Sequence, residues 1–177
     1  MPAAPVVFTI GHSTRTAEAF LTLLTANAVA HLVDVRTVPR SARNPQFNRE
    51  TLPQTLAAVG IQYTHMKALG GLRHPRPDSI NSGWRNDGFR GYADYMQTAE
   101  FAEALEQLTT VARRQPVAIM CAEALPWRCH RSLLADALLV RGFEVQDITG
   151  PGKTRAHQLT PFARVQGVTI TYPGLLP

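Results

Sequence analysis

Short apolar runs alternate with amphipathic patterns along most of this chain. An apolar run bounded by turn residues is typical of a buried strand, whereas apolar residues three and four positions apart are typical of a helix. The pattern predicts strands at residues 6–10, 32–35, 61–66, 117–120 and 143–148, with a short final strand at 168–172. It predicts helices at residues 16–27, 52–59, 92–114 and 132–142, the third with a break near Thr98.

Strands that alternate with helices predict an α/β fold, because a helix that connects two parallel strands covers one face of the sheet. At 177 residues, the chain has the length of one domain. We therefore expect a single three-layer domain over residues 1–177, with its core between residues 6 and 165. Its mostly parallel sheet should have about five strands, with helices on both faces.

Polar residues follow each predicted strand. The carboxyl ends of parallel strands lie at one edge of a sheet, and ligands bind there. Because polar residues recur at every strand end, we predict a single site at this edge. The edge collects Gly11, His12 and Ser13, then Asp34 and Arg36, residues 67–71, Cys121 and Glu123, and Thr149 with Gly150.

Reactive and charged side chains are most concentrated between residues 116 and 131, where a buried strand leads into a helix. Both cysteines of the protein, Cys121 and Cys129, are here. Backbone N–H groups of a turn and the positive end of a helix lower the pKa of a thiol. If Pro126 begins the helix, Cys129 falls in its first turn. Either cysteine is a candidate nucleophile, and the alternative is that they are small buried residues.

Two kinds of site residue are predicted. The candidate catalytic residues are the two cysteines with Glu123 and His130, which would handle protons. Arg131 lies near a helix N-terminus, where a structural role would favour an acid, so we predict that it binds an anion. The candidate substrate-binding residues are His12, Ser13, Asp34, Arg36, Gly70, Gly71, Arg128 and Arg131.

Some of these residues also fit a purely structural interpretation. Asp34 and Arg36 can form a local ion pair, and Glu123 can be the counter-ion of the arginines near it.

A metal-dependent hydrolase is a further alternative, with Cys121, Cys129, His130 and either Glu123 or His12 as ligands. The cysteine spacing is not that of a structural zinc site. We therefore assign no metal to the site, and the sequence does not identify a cofactor.

The net charge of +5 and a pI of about 9.8 favour an anionic partner, either a small molecule or a nucleic acid. Trp84 lies among four arginines in a long polar stretch, which is the pattern of a nucleic-acid contact. The alternative is a loop folded over its own aromatic residue. The four arginines are Arg73, Arg76, Arg85 and Arg90.

The chain has no apolar run of membrane-spanning length, so we expect no membrane partner. Its N-terminal residues lack the features of a signal peptide. We therefore expect a cytoplasmic protein with reduced cysteines.

An ordered set of motifs resembles the family known as domain of unknown function 488. Its elements are T-I-G-H-S at residues 9–13, D-V-R at 34–36, P-Q-F-N at 45–48, Tyr63, L-G-G at 69–71, C-A-E at 121–123 and C-H-R at 129–131. The resemblance implies a compact α/β domain and no settled reaction.

Two better understood groups are similar at a distance. Rhodanese-like sulfurtransferases have a similar pattern, in which a D-x-R motif ends one strand and a cysteine ends a later strand. By this similarity, Cys121 would be a persulfide carrier. Cysteine phosphatases need a C-x5-R loop, whereas Cys121 and Arg128 form C-x6-R without glycine.

We expect an enzyme that acts on a phosphate-bearing or nucleotide-like substrate through Cys121 or Cys129. The alternative is a non-catalytic nucleic-acid-binding module. A depressed thiol pKa favours the first, and salt-sensitive nucleic-acid binding that survives loss of the cysteines favours the second.

Overall fold

Six strands form the main sheet in a computed structural model that describes residues 3–175. Their spatial order is β3-β2-β4-β1-β5-β6. The first five are parallel and β6 is antiparallel to β5. The mostly parallel sheet is therefore confirmed. The strands are β1 Val6–Gly11, β2 His31–Asp34, β3 Gln62–His65, β4 Val117–Cys121, β5 Glu144–Gly150 and β6 Lys153–Ala156.

The β5–β6 hairpin was not predicted. The segment that follows Ile148 was expected to be a ligand loop at a strand end. Instead β5 continues to Gly150, and the chain turns back through Gly152, whose φ is +64°. Glycine adopts this conformation without steric cost, so Gly-Pro-Gly makes the turn of a hairpin.

Five helices accompany the strands. They are α1 Ala17–Ala26, α2 Leu52–Ala57, α3 Asp87–Tyr95, α4 Ala99–Ala112 and α5 Arg131–Leu139. The predicted break near Thr98 separates α3 from α4, and the Thr98 hydroxyl accepts a hydrogen bond from the Phe101 N–H. The expectation that α3 begins at Tyr92 was wrong. Asn86 caps the helix through the Phe89 N–H, so the polar stretch ends earlier than its composition indicates.

The predicted final strand belongs to a separate hairpin. Strands β7 Arg164–Gln166 and β8 Thr169–Thr171 pair with each other and not with the main sheet. Gln97 bonds the carbonyl of Ile170 at 2.8 Å, which holds this hairpin against the end of α3.

Alternation along β4 assigns its side chains to the two faces of the sheet. Val117, Ile119 and Cys121 belong to the core that α3, α4 and α5 cover. Ala118 and Met120 belong to the core that α1 and α2 cover. The predicted three-layer arrangement is therefore present. It also fixes the direction of Cys121, whose side chain points to the α5 side of the sheet.

The chain reverses its direction across the sheet between β1 and β4, which are neighbours. From β1 it crosses through α1 toward β2, and from β4 it crosses through α5 to β5 on the other face. Such a reversal opens a crevice beyond the carboxyl ends of the two strands. His12 follows β1 and Cys121 ends β4, so both lie at this crevice.

None of the helices within residues 3–175 is long and apolar enough to cross a membrane.

The end of β1 packs tightly against the segment that follows β4. A methyl group on Gly11 would overlap the carbonyl of Glu123 and the Cα of Ala124, which are backbone atoms. We predict that Gly11→Ala lowers the free energy of unfolding by about 3 kcal/mol, because backbone cannot rotate away from the clash. Gly150→Ala is the matched control, since its nearest contact would be Lys153 Cδ at 3.8 Å. Urea denaturation that gives equal losses for both variants would contradict this account.

Candidate active site

The two cysteines meet at the crevice. Cys121 is the last residue of β4, and Cys129 follows a turn of 3₁₀ helix at Pro126–Arg128. Their sulfur atoms are 2.7 Å apart, and both residues are free thiols. Their exposed fractions are only 3% and 7%. The segment between them therefore leaves the sheet and returns to it, which the eight-residue spacing alone did not predict.

Arg131 holds this returning segment in place. Its Nη2 donates to the carbonyl of Glu123 at 2.8 Å and to that of Ala124 at 3.4 Å. The side chain is 1% exposed and bonds backbone of its own chain. The Glu123 carboxylate adds a further bond, because its Oε1 accepts from the Leu125 N–H at 3.1 Å. Arg131 was predicted to bind an anion, and in the structure it supports the loop.

The prediction that Cys129 lies in the first turn of a helix was wrong. Pro126 begins a three-residue 3₁₀ turn, and Cys129 then adopts an extended conformation with φ −132° and ψ 148°. The α5 helix begins two residues later, at Arg131. The Arg131 N–H still points to the Cys129 sulfur at 3.4 Å. Cys129 therefore lies just outside the helix and contacts its first N–H.

The environment gives the two thiols different proton affinities. A hydrogen bond from Cys121 is the largest cause that lowers the pKa of Cys129 to about 4, and the hydrogen bond and charge of His130 and the charge of Arg131 lower it further. Burial, followed by this same hydrogen bond, raises the pKa of Cys121 well above its usual value. These opposite shifts favour the thiolate at Cys129 and the protonated thiol at Cys121, which donates to it.

His130 is oriented toward the thiolate. Its Nε2 lies 3.0 Å from the carbonyl of Val35, which can only accept, so this nitrogen carries a hydrogen. Its Nδ1 then faces the Cys129 sulfur at 3.5 Å. A Cβ on Gly71 would be 3.0 Å from this same Nδ1, so glycine leaves room for the ring. Cys129 and His130 are therefore arranged as a thiol and a neighbouring base.

Asp34 and Arg36 form a buried ion pair beside the thiols. Arg36 donates to the Asp34 carboxylate from Nε at 2.9 Å and from Nη2 at 2.7 Å. Its Nη2 also bonds the carbonyl of Phe47, and the Tyr63 hydroxyl donates to Asp34. Burial is the main cause that raises the pKa of Tyr63. The ion-pair interpretation is therefore correct for these two residues.

His12 joins this cluster from β1. Its Nδ1 donates to the Ser13 carbonyl, so its Nε2 can accept from Arg36 Nη1 at 3.3 Å. The ring stacks on Phe47, and burial is the main cause that lowers its pKa. Ser13 has a positive φ of 49°, and its N–H bonds the carbonyl of Ala122. These residues bind each other and the backbone around the site.

A cavity of about 450 Å³ opens above the thiols. Seven predicted site residues line it: Arg36, Gly71, Cys121, Glu123, Arg128, Cys129 and His130. His12, Ser13, Asp34, Gly70 and Arg131 lie outside this lining. Gly70 has a packing role, because a Cβ there would overlap Thr37. Thr149 lines a second cavity, so the predicted strand-end residues border two cavities.

The mouth of this cavity includes residues that were not predicted. Arg40 lines it together with Arg128, and neither forms an ion pair within residues 3–175. Val38 and Leu72 also line it and are 58% and 80% exposed. Leu72 has a positive φ of 59°, which is unusual for a branched residue. The only sequence signal for Arg40 is its place in a Pro- and Arg-rich loop after β2.

The arginine-rich stretch around Trp84 is folded onto the protein itself. The Trp84 ring makes edge contacts with Phe89 and Phe162. The Arg73 guanidinium lies 3.6 Å from the centre of the Tyr95 ring. Arg76 and Arg90 form ion pairs with Asp78 and Asp87. The interpretation as a loop over its own aromatic residue therefore describes this stretch.

The metal alternative needs three or more protein ligands around one ion. Among residues 3–175, no three Cys, His, Asp or Glu side chains converge as they would around a metal ion.

The family model described as Domain of unknown function DUF488 matches residues 16–138, which is more than half of the chain. The chain belongs to this family. The matched range contains Asp34, Gly70, Cys121 and Cys129, whereas the T-I-G-H-S segment precedes it. No curated protein and no solved structure matches the chain.

The buried ion pair of this DUF488 protein allows a direct test. We predict that Asp34→Asn lowers the free energy of unfolding by about 3–5 kcal/mol, because Arg36 then keeps a buried charge without its partner. Asp78→Asn is the matched control, since Asp78 and Arg76 are 73% and 69% exposed. The control should cost less than about 1 kcal/mol. Urea denaturation of both variants measures the difference, and equal losses would contradict the assignment.

The proton affinity of Cys129 predicts how its reactivity depends on pH. A lowered pKa means that the thiolate predominates well above pH 4 and is lost as the pH falls through about 4. The rate of Cys129 alkylation by iodoacetamide should therefore reach half its plateau near that pH. Cys121→Ala should shift the midpoint upward, because it removes the donating thiol. Cys121→Ser should shift it less, since a hydroxyl still donates.

Mass spectrometry of the alkylated peptide separates Cys129 from Cys121. A midpoint near the usual thiol value of about 8.5 in the native protein would contradict the assignment.

Proposed function

We propose that this protein is an enzyme in which the Cys129 thiolate reacts with an anionic substrate held in the arginine-lined cavity. The observation that carries the proposal is the 2.7 Å contact between the two sulfurs at the floor of that cavity. Burial of a thiol beside a thiolate lowers the stability of the folded protein, because both sulfurs lose their contacts with water. A nucleophile kept ready for reaction explains why the pair lies at the strand ends.

The adjacent thiol favours sulfur chemistry over phosphoryl transfer. A cysteine phosphatase surrounds the substrate with converging N–H donors, and one N–H, that of Arg131, lies 3.4 Å from the Cys129 sulfur. A second thiol in contact with the first is the arrangement that thiol–disulfide exchange requires. We therefore propose that the substrate presents an electrophilic sulfur atom to Cys129.

The proposed reaction has two steps. The Cys129 thiolate attacks one sulfur of a substrate disulfide, the S–S bond breaks, and one half leaves as a thiolate. Cys121 then attacks the Cys129 sulfur, its proton passes to the departing second half, and a Cys121–Cys129 disulfide forms. The substrate is reduced by two electrons and the cysteine pair is oxidised by two. A low-molecular-weight thiol or a dithiol protein must then reduce the pair.

The remaining site residues receive roles in the same proposal. His130 takes the Cys129 proton and balances the thiolate charge. Glu123 orders the loop through Leu125 and lines the cavity, where its carboxylate can exchange protons. Arg40 and Arg128 attract the anionic part of the substrate, and Val38 and Leu72 contact an apolar part. The proposed activity needs a reducing environment, which supports our proposal that the protein acts in the cytoplasm.

Anionic and cationic disulfides test both parts of the proposal. We expect 5,5′-dithiobis(2-nitrobenzoate) to release two thionitrobenzoate ions per wild-type molecule and to leave an internal disulfide. Cys121→Ser should release one ion and keep the mixed disulfide on Cys129. Cys129→Ser should react only when unfolded, because Cys121 is buried and its pKa is raised. Absorbance and intact-protein mass spectrometry distinguish these products.

Arg40 and Arg128 should increase the reaction rate of the anionic disulfide and leave that of the cationic disulfide unchanged. At low ionic strength, Arg40→Ala and Arg128→Ala should each slow its reaction about tenfold, and cystamine, which is cationic, should not be slowed. High salt should remove the difference. Arg114→Ala is the matched control, since Arg114 is an exposed arginine outside this cavity. Equal effects on both reagents would contradict the role of the two arginines.

A further inference from the structure

A second cavity of about 540 Å³ lies beside the thiol cavity, and neither cysteine lines it. Its walls come from the end of β5, the segment 155–162 and the loop before α5. We propose that this cavity binds an anionic ligand that carries a planar aromatic ring, of the class of a nucleoside phosphate. Its volume lies within the range of small-molecule sites, about 300–1,000 Å³. The proposal does not depend on the chemistry of Cys129.

Two buried N–H groups of residues that line this cavity have no acceptor within residues 3–175. They are Nε of Arg131 and Nε1 of Trp84. Buried N–H groups almost always donate to an acceptor, so a bound ligand could supply the acceptors that these two groups lack. Both side chains are already fixed: Arg131 bonds two backbone carbonyls, and Trp84 packs between Phe89 and Phe162. Both unpaired donors are therefore held in fixed positions on residues that line the cavity.

The charges around the cavity favour an anion. Three guanidinium groups line it, those of Arg15, Arg131 and Arg155. The one carboxylate in its lining, Asp147, is 6% exposed and accepts a hydrogen bond from the Thr9 hydroxyl. Arg155 forms no ion pair in the part of the chain that the structure describes. A phosphate group offers several acceptor oxygens and a charge opposite to that of the three guanidinium groups.

The aromatic lining favours a planar ring. Trp127 is 58% exposed, lines the cavity, and stacks on no other ring within residues 3–175. A large exposed ring beside arginines is the combination that binds a base and its phosphate together. His157 also lines the cavity, and Asp136 holds its Nε2 at 2.8 Å, so the ring has a fixed orientation.

Isothermal titration with nucleoside 5′-monophosphates tests the proposal. At least one of AMP, GMP, CMP and UMP should bind with a Kd about tenfold or more below that of its own nucleoside or of inorganic phosphate. Trp127→Ala and Arg155→Ala should each raise this Kd about tenfold. Trp127→Phe keeps a ring and should retain most of the affinity. Arg114→Ala, which changes an exposed arginine outside the cavity, should have no effect.

The outcomes separate this proposal from the proposed enzyme activity. Cys129→Ser should bind the nucleotide as the wild type does, because the thiolate is outside this cavity. Loss of binding in Arg40→Ala or Arg128→Ala, with no loss in Trp127→Ala and Arg155→Ala, would assign the ligand to the thiol cavity and overturn the proposal. Nucleotide binding no tighter than nucleoside or phosphate binding would also overturn it. Thermal unfolding confirms that each variant is folded.

Discussion

The hydrogen bonds from Arg131 to the carbonyls of Glu123 and Ala124 determine the shape of the whole site. They pull the segment after β4 back over the end of β1. Gly11 is what allows the backbone to come this close, because any side chain there would overlap the Glu123 carbonyl. Once the segment has returned, Cys129 reaches the sulfur of Cys121. The same returning segment contributes residues to both cavities.

This arrangement also explains the charge state of the pair. Arg131 is buried and has no carboxylate partner within residues 3–175. A buried cation without an anion costs several kcal/mol, even when carbonyls accept its hydrogen bonds. A thiolate at Cys129 supplies the missing negative charge, and the Arg131 charge in turn lowers the pKa of this thiol. Arg36 differs, because Asp34 already neutralises it. The buried cation that lacks a carboxylate therefore belongs to the residue whose N–H contacts the Cys129 sulfur.

The sequence predicts the layers and the strand ends well, because both depend on local periodicity. Apolar runs and amphipathic segments locate β4 and α5, and their alternation predicts the parallel sheet. Local periodicity does not predict the role of Arg131. A guanidinium group at the start of a helix is typical of anion binding, and only its distant backbone partners show that it supports the loop. The start of α5 depends on the same tertiary contacts. Pro126 favours a helical turn, but the return of the loop to β4 extends the chain at Cys129.

Arg131 lines the second cavity and holds the loop that borders the thiol cavity. Arg131 Nη2 bonds the carbonyl of Glu123, and its buried Nε has no acceptor within residues 3–175. The guanidinium plane is rigid, so an acceptor bound at Nε cannot move without straining the bonds at Nη2. A ligand in the second cavity would therefore stiffen the loop on which the position of the thiolate depends. The geometry links the two cavities through a single side chain, without a change of fold.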